Sequence, residues 1–290
     1  MKTGNVVPFF SISFFVKLAL PWLLYSCNGV ETKKQKNPLP IVEEAKSKNS
    51  VINIDLRTAL AGYDPETAVN VTVKYDHFFK TAKKYKGYLL SSILDSFTKA
   101  TLFDTSNAMV LFECGDGYRP VMELSKIFGN RKGYLAYRDE EQPNGKNWPD
   151  SLESKFPPYY LVWDDVPKDD QSFMWPYGLT EIKIISSVDP GFMAIYPGDN
   201  LIAQSGFKLF RDNCMKCHSI NKIGGSMGPE FNIPKNITEY WKKEEIIAFA
   251  KAPSSYRYNS RMPPITTISD SDFESIISYL IYMKTHKAKQ

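Results

Sequence analysis

Two cysteines and a histidine lie within five consecutive residues, Cys214-Met215-Lys216-Cys217-His218. At the spacing C-x-x-C-H, each thiol can add to one vinyl group of a haem, and the histidine that follows can ligate the iron. The segment therefore predicts one covalent haem c, attached through Cys214 and Cys217, with His218 as an axial ligand. A protein with such a haem handles electrons.

Two other chemistries use a C-x-x-C pair. A redox dithiol of the thioredoxin kind belongs to a βαβ pattern, and no such pattern surrounds this segment. A tetrahedral zinc site needs two further Cys or His ligands, and the remaining two cysteines and two histidines of the chain lie far away in sequence. We therefore favour haem attachment.

The second axial ligand of an electron-transfer haem is often a methionine thioether. Met262 follows the motif at a suitable distance, and the two prolines after it restrict the backbone. Met215 and Met227 are too close to the attachment segment to reach the opposite side of a haem. We expect Met262 to be the ligand; the competitor is His286, near the end of the chain, which would give two histidine ligands.

Three helices are expected around these residues. The first spans about 200–213, with Gly206 on the face that another helix could approach, and the second spans about 238–251. The third begins after Ser269, an N-cap residue with Asp272 three positions later. Its apolar residues follow at helical spacing: Phe273, Ile276, Ile277 and Leu280.

Residues 198–287 resemble a class I cytochrome c domain, and we place this all-α domain at 198–290. The resemblance rests on ordered motifs: Gly206-x-x-Leu209-Phe210, Cys214-x-x-Cys217-His218, Gly228-Pro229, Met262-Pro263 and Tyr279-Leu280. It implies that the first and last helices cross at Gly206 and Tyr279. It also implies that Pro229 offers its carbonyl to His218, a contact that fixes the imidazole and tunes the iron.

The N-terminus has the features of an export signal. A short basic start precedes an apolar run over residues 6–25, and Leu24 stands three residues before Cys27, which resembles a bacterial lipobox. Cys27 would then carry lipid and tether an exported protein on the periplasmic or cell-surface side. The alternative is an uncleaved transmembrane anchor, which would contain Lys17 and Pro21. Residues 1–27 are the predicted signal and 28–50 a polar tether.

Residues 51–188 are predicted to form a separate α+β domain with a mainly antiparallel or mixed sheet. Expected strands lie at 70–74, 108–112, 159–163 and 181–185, a helix at 88–97 and another at 123–128. The segment resembles the molybdopterin-binding domain of the sulfite oxidase family. The residues that carry the resemblance are Tyr85-x-Gly87-Tyr88-Leu89-Leu90-x-x-Ile93-Leu94, Asp116-Gly117-Tyr118, Leu135-Ala136-Tyr137 and 177–185.

The cysteine that would hold molybdenum in that family has no clear counterpart here. No cysteine precedes Tyr85 in this domain, and Cys114 stands beside a turn with no Arg/His cluster. A lone cysteine at a strand end is commonly a small buried apolar residue. We expect the domain to lack molybdopterin; the alternative is a molybdenum oxidoreductase in which Cys114 ligates the metal and the haem accepts its electrons.

The net charge of +4 is too small to predict a nucleic-acid partner. The favoured function is therefore a membrane-tethered carrier of single electrons with no catalytic residues of its own. Its partner would be a redox protein, either a dehydrogenase or an oxidase. A third hypothesis, a haem-based sensor, would need an open axial position.

Overall fold

A computed structural model of the chain describes residues 50–63 and 65–289. The predicted signal peptide with Cys27 lies outside the described residues, and so does the tether apart from Ser50. None of the helices in the described part is long and apolar enough to cross a membrane.

The first part of the fold contains eight strands in two sheets. One sheet has the order β1-β8-β4-β5 and the other β2-β3-β6-β7, and the pairings between these strands are antiparallel. The sequence predicts a sheet that is either mainly antiparallel or mixed, and the structure has the antiparallel form. The strands are β1 (Val51–Asp55), β2 (Val69–Val73), β3 (Lys83–Leu89), β4 (Met109–Cys114), β5 (Val121–Glu123), β6 (Gly133–Asp139), β7 (Tyr160–Trp163) and β8 (Leu179–Ile185).

Eight α-helical segments accompany the strands: α1 (Leu56–Leu60), α2 (Leu90–Thr101), α3 (Leu124–Ile127), α4 (Pro190–Met193), α5 (Leu201–Asn213), α6 (Lys243–Lys251), α7 (Pro253–Tyr256) and α8 (Asp270–Lys284). All four predicted strands are confirmed, as β2, β4, β7 and β8. The predicted helix at 88–97 begins only at Leu90, because Tyr88 and Leu89 still pair with β6.

The predicted helix at 238–251 is wrong in its first third. The chain forms a short 3-10 turn at Ile237–Glu239 and starts α6 only at Lys243. Each piece has its own N-terminal cap, since the Asn236 side chain accepts from the backbone N–H of Thr238 and the Glu245 carboxylate accepts from that of Lys242. Two separate caps stop one piece from running into the next.

Helices α5 and α8 cross at Gly206, as the cytochrome resemblance implies. A Cβ at this position would lie 2.0 Å from the carbonyl oxygen of Ser275 and 2.8 Å from the Cβ of Tyr279. Only glycine allows the two backbones to approach so closely. The Tyr279 ring is fully buried, and its hydroxyl donates to the Ile195 carbonyl at 2.8 Å. The predicted cap is confirmed, because the Ser269 hydroxyl accepts from the Asp272 N–H.

The sheet that contains β4 is buried on both faces. Side chains alternate along a strand, so Val110 and Phe112 enter the core of the first part, where they pack with α2. Met109 and Leu111 point the other way, into a core that also contains Phe207 and Phe210 of α5. The two predicted domains therefore share one central sheet, and the described residues belong to one compact unit.

An ion pair reinforces this shared interface. The buried guanidinium of Arg211 on α5 donates to Glu123 of β5 at 3.0 Å and to its neighbour Asp212 at 2.8 Å. These carboxylates outweigh the cost of burying the charge and raise the pKa of Arg211. A cavity of only about 10 Å³ remains between the sheet and α5, so the apolar packing here is nearly complete. The boundary at 188–198 stays a prediction.

Leu111→Ala tests the shared core. Truncating a buried leucine costs about 2–5 kcal/mol through lost burial and the cavity left behind. We expect the free energy of urea unfolding to fall by that amount for both probes, tryptophan fluorescence and far-ultraviolet circular dichroism. The fluorescence reports mainly on the first part. Val69→Ala, at an exposed position of β2, should shift neither. Two separated transitions, with only one of them moved by Leu111→Ala, would contradict a shared core.

Candidate haem site

The Cys-x-x-Cys-His segment continues directly from the end of α5. The Cys214 N–H donates to the Phe210 carbonyl at 2.7 Å, and the His218 N–H donates to the Cys214 carbonyl at 3.0 Å. The segment thus adds about one helical turn to α5. Since α5 is fixed by its crossing with α8 and by the central sheet, the position of the motif is fixed by the whole fold.

The imidazole of His218 is buried and held in one orientation. Its Nδ1 lies 2.9 Å from the carbonyl oxygen of Pro229, the contact that the cytochrome resemblance implies. Phe231 stacks on the ring with centroids 4.2 Å apart. Burial lowers the pKa of His218, which favours the neutral form. With Nδ1–H donated to a carbonyl, Nε2 keeps its lone pair and can ligate a metal.

Gly228 makes room for this ring. A Cβ on Gly228 would stand 2.3 Å from Cε1 and 2.6 Å from Nδ1 of His218. The glycine N–H also donates to the Cys217 carbonyl at 2.8 Å. The Gly228-Pro229 pair therefore positions His218 in two ways. Gly228 leaves space for the ring, and the carbonyl of Pro229 lies at hydrogen-bond distance from its Nδ1.

The two thiols of the motif are free and partly buried. Burial raises the pKa of the Cys214 thiol to about 12 and also raises that of Cys217. Two thiols and an imidazole with a free Nε2, within one turn of helix, are the set that haem c requires. In the described part of the chain, no three Cys, His, Asp or Glu side chains gather as metal ligands.

Met262 lies in the loop that follows α7. Its side chain is partly buried, and its N–H donates to the Ser260 hydroxyl at 3.3 Å. The same loop is fixed to α6 because the Ile265 N–H donates to the Ala250 carbonyl at 2.9 Å. Ligation by Met262 stays a prediction.

The competing ligand, His286, is engaged elsewhere. Its exposed ring stacks on Tyr282 with centroids 4.0 Å apart, and its Nδ1 lies 2.8 Å from the carbonyl of that residue. The ring thus covers the C-terminal end of α8. Moving it to an iron would remove both contacts.

Cys114 is buried at the end of β4, within the core of the first part. Its backbone closes a turn, because its carbonyl accepts from Gly117 and its N–H donates to the Tyr118 carbonyl. Burial raises the pKa of the Cys114 thiol. Cys114 thus has the surroundings of a small buried apolar residue, and the absence of molybdopterin stays a prediction.

That turn of the first part contacts the Cys-x-x-Cys-His segment directly. The Arg119 N–H donates to the Lys216 carbonyl at 2.9 Å, and the Ser226 N–H donates to the Gly117 carbonyl at 3.0 Å. Gly117 has φ +87°, and a Cβ there would lie 2.6 Å from the Ser226 hydroxyl. From the sequence alone, no role is predicted for Arg119, Lys216 or Ser226. Backbone hydrogen bonds between distant segments leave no residue-type signal that could have revealed them.

A chain of buried asparagines, also missed, ties the loop after His218 to the end of α8. Asn232 donates to the Asn221 side chain at 2.8 Å, and Asn236 donates to the Asn232 side chain at 2.7 Å and to the Leu280 carbonyl at 2.9 Å. Asn221 in turn donates to the His286 carbonyl at 2.8 Å. Because amides that are buried must be paired, the network fixes this loop in one place.

Comparison with known proteins agrees with this geometry. Residues 202–280 match the model of the family described as cytochrome c oxidase, cbb3-type, subunit III. The match supports a c-type cytochrome domain in this segment. A domain of this kind implies haem c and suggests electron transfer, in agreement with the prediction from the sequence.

A curated relative matches over a similar length. The chain is 30% identical over 89 residues to a protein named cytochrome c oxidase subunit 2 from Alkalihalophilus pseudofirmus (strain ATCC BAA-2126 / JCM 17055 / OF4). The match covers 29% of this chain and 26% of the relative, so the chain spans only about a quarter of that protein. No solved structure matches the chain. The resemblance of the first part to the sulfite oxidase family therefore stays a prediction.

Gly228→Ala tests how the cytochrome domain positions its histidine. The added methyl group would overlap the ring of His218, so we expect the imidazole to be displaced from the Pro229 carbonyl. The haem-loaded variant should lose its low-spin spectrum and change its midpoint potential. Gly62→Ala is the control, since a Cβ there meets nothing within 4 Å. A Gly228→Ala protein with the original spectrum and potential would contradict the positioning of His218 by Gly228.

Proposed function

We propose that the protein is a membrane-tethered cytochrome that binds one haem c and carries single electrons to or from a redox partner. The observation that carries the proposal is the orientation of His218, whose Nδ1 faces the Pro229 carbonyl. This histidine follows directly after the Cys-x-x-Cys pair, whose two cysteines are free. That arrangement leaves Nε2 as a ligand of defined direction. Haem iron supplies one-electron redox chemistry.

The residues of the chain would keep that electron transfer simple. Cys214 and Cys217 would hold the group covalently, and His218 with Met262 would fill both axial positions. A site with two permanent ligands reorganises little when an electron arrives, and a methionine ligand raises the potential relative to a second histidine. With both axial positions filled, the iron would lack the open position that a haem-based sensor needs.

Iron and molybdenum per chain, measured on protein from its native host, test the proposal. We expect about one iron and no molybdenum, together with the absorbance of covalent haem after acid–acetone extraction. About one molybdenum per chain, lost in Cys114→Ser, would overturn the carrier function and establish the molybdenum oxidoreductase. Less than one iron in ten chains would contradict the presence of a haem in this protein.

Met262→Ala tests the second axial ligand. The covalent haem should remain, whereas the weak red absorption band that arises from sulfur-to-iron charge transfer should disappear from the oxidised spectrum. The midpoint potential should fall because the thioether favours the ferrous state. Met193→Ala, at an exposed methionine of α4, should keep both properties. An unchanged band in Met262→Ala would assign the sulfur to another residue.

The partner that we propose is a redox protein, a dehydrogenase or an oxidase. Of the two, an oxidase agrees better with the names of the matched family and relative, which are both subunits of cytochrome c oxidases. The sequence offers no feature that would favour a dehydrogenase.

Cys27→Ser tests the proposed lipid anchor on the periplasmic or cell-surface side. Serine cannot receive the thioether-linked lipid, so the variant should appear in the soluble fraction after cell breakage, whereas the original protein sediments with membranes. Cys114→Ser serves as the control and should stay with the membranes. If Cys27→Ser also sediments and resists alkaline carbonate, the apolar run at 6–25 is itself the anchor.

A further inference from the structure

The loop at residues 224–229 is hydrogen-bonded to the backbone of the Cys-x-x-Cys-His segment. The Gly225 N–H donates to the Met215 carbonyl at 2.8 Å, and the Gly228 N–H donates to the Cys217 carbonyl at 2.8 Å. Both acceptors belong to the motif itself. The loop therefore runs along the residues that would attach the haem.

No side chain separates this loop from the motif at Gly225. A Cβ on Gly225 would lie 2.3 Å from the Lys216 carbonyl oxygen and 2.7 Å from the Cys217 Cα. These distances are well below van der Waals contact, which is roughly 3.5–4.0 Å between carbon atoms. The two backbones thus touch directly, and a close-packed interior transmits displacements because it compresses little.

The other side of the loop rests on a turn of the first part. The Gly117 carbonyl accepts from the Ser226 N–H at 3.0 Å, and a Cβ on Gly117 would lie 2.6 Å from the Ser226 hydroxyl oxygen. The turn is fixed at the end of β4, where the Gly117 N–H donates to the Cys114 carbonyl and the Cys114 N–H donates to the Tyr118 carbonyl, both at 3.1 Å. Because β4 is buried on both faces, the turn has a defined position against the loop.

One residue, Met227, stands between Ser226 and the Gly228-Pro229 pair that holds His218. Met227 is 50% exposed, so its side chain offers little packing that could anchor the loop by itself. The Pro229 carbonyl oxygen lies 2.9 Å from Nδ1 of His218. A small displacement of the loop at Ser226 would therefore reach this hydrogen bond.

We propose that Gly117 is a positioning residue for the haem ligand. Its turn supports Ser226, and through the loop it holds the Pro229 carbonyl where the Nδ1–H of His218 donates to it. A hydrogen bond at this nitrogen raises the basicity of a histidine ligand and tunes the metal. The first part of the fold thus contributes to the reduction potential. This role rests on the proposed function, since it takes His218 as a ligand of haem iron.

Gly117→Ala in the full-length, haem-loaded protein tests this role. The methyl group would press on the Ser226 hydroxyl and move the loop, so the bond from His218 to Pro229 should lengthen. A less basic imidazole stabilises ferric iron less, and the midpoint potential should rise. Gly115→Ala, in the same turn, is the control, since a Cβ there meets nothing within 4 Å. An original potential in Gly117→Ala would overturn the proposal, even if the variant is less stable.

A second substitution separates this contact from backbone strain. Gly117 has φ +87°, a conformation that any residue with a Cβ adopts at a cost in stability. In Gly117→Ala/Ser226→Gly the methyl group has room, so the potential should match that of Ser226→Gly while the thermal midpoint stays lower. A raised potential that persists in the double variant would contradict the route through Ser226.

Ser226→Val presses on the turn from the side of the loop and leaves Gly117 unstrained, so it replaces Gly117→Ala if that variant does not fold. It should also raise the potential. The proton on Nδ1 of His218 gives a second readout, because its magnetic resonance signal reports the bond to Pro229 with or without a haem. The signal should move in both variants and stay in Gly115→Ala. An unmoved signal would overturn the role of Gly117, whereas a chain without haem would refute the proposed function alone.

Discussion

Burial of one sheet on both of its faces is the constraint on which the rest of the structure depends. Along β4, Val110 and Phe112 are buried in the core of the first part. Met109 and Leu111 of the same strand are buried in the core around α5. A strand with apolar residues on both sides cannot turn either face to water without exposing a full row of large side chains. The first part and the cytochrome domain are therefore held in one orientation, and the Arg211–Glu123 pair fixes the register between them.

This packing also fixes the position of the haem-attachment segment. Helix α5 is held by the sheet on one side and by the close approach of α8 at Gly206 on the other. His218 then needs only local contacts, namely space at Gly228 and an acceptor at Pro229, to place its free nitrogen. The turn at Gly117 and the asparagines after the motif hold the same loop from two further directions.

The sequence was most informative where residue type and spacing follow from local chemistry. The Cys214–His218 motif, the Gly206 crossing, the Ser269 cap and four of the eight strands of the first part were visible in this way. The break between the 3-10 turn and α6 was not, because two consecutive caps look like the polar face of one helix.

The backbone bonds from Gly117 and Arg119 to the Cys-x-x-Cys-His loop bear on how the protein matures. Covalent attachment of a haem needs access to both cysteines, and the docked turn is hydrogen-bonded to the carbonyl of Lys216, between them. The turn is also synthesised first, so it is available to dock as soon as the motif emerges. Attachment of a haem and docking of the turn thus involve the same short loop, so the order of these two steps bears on how much of the folded protein would carry haem.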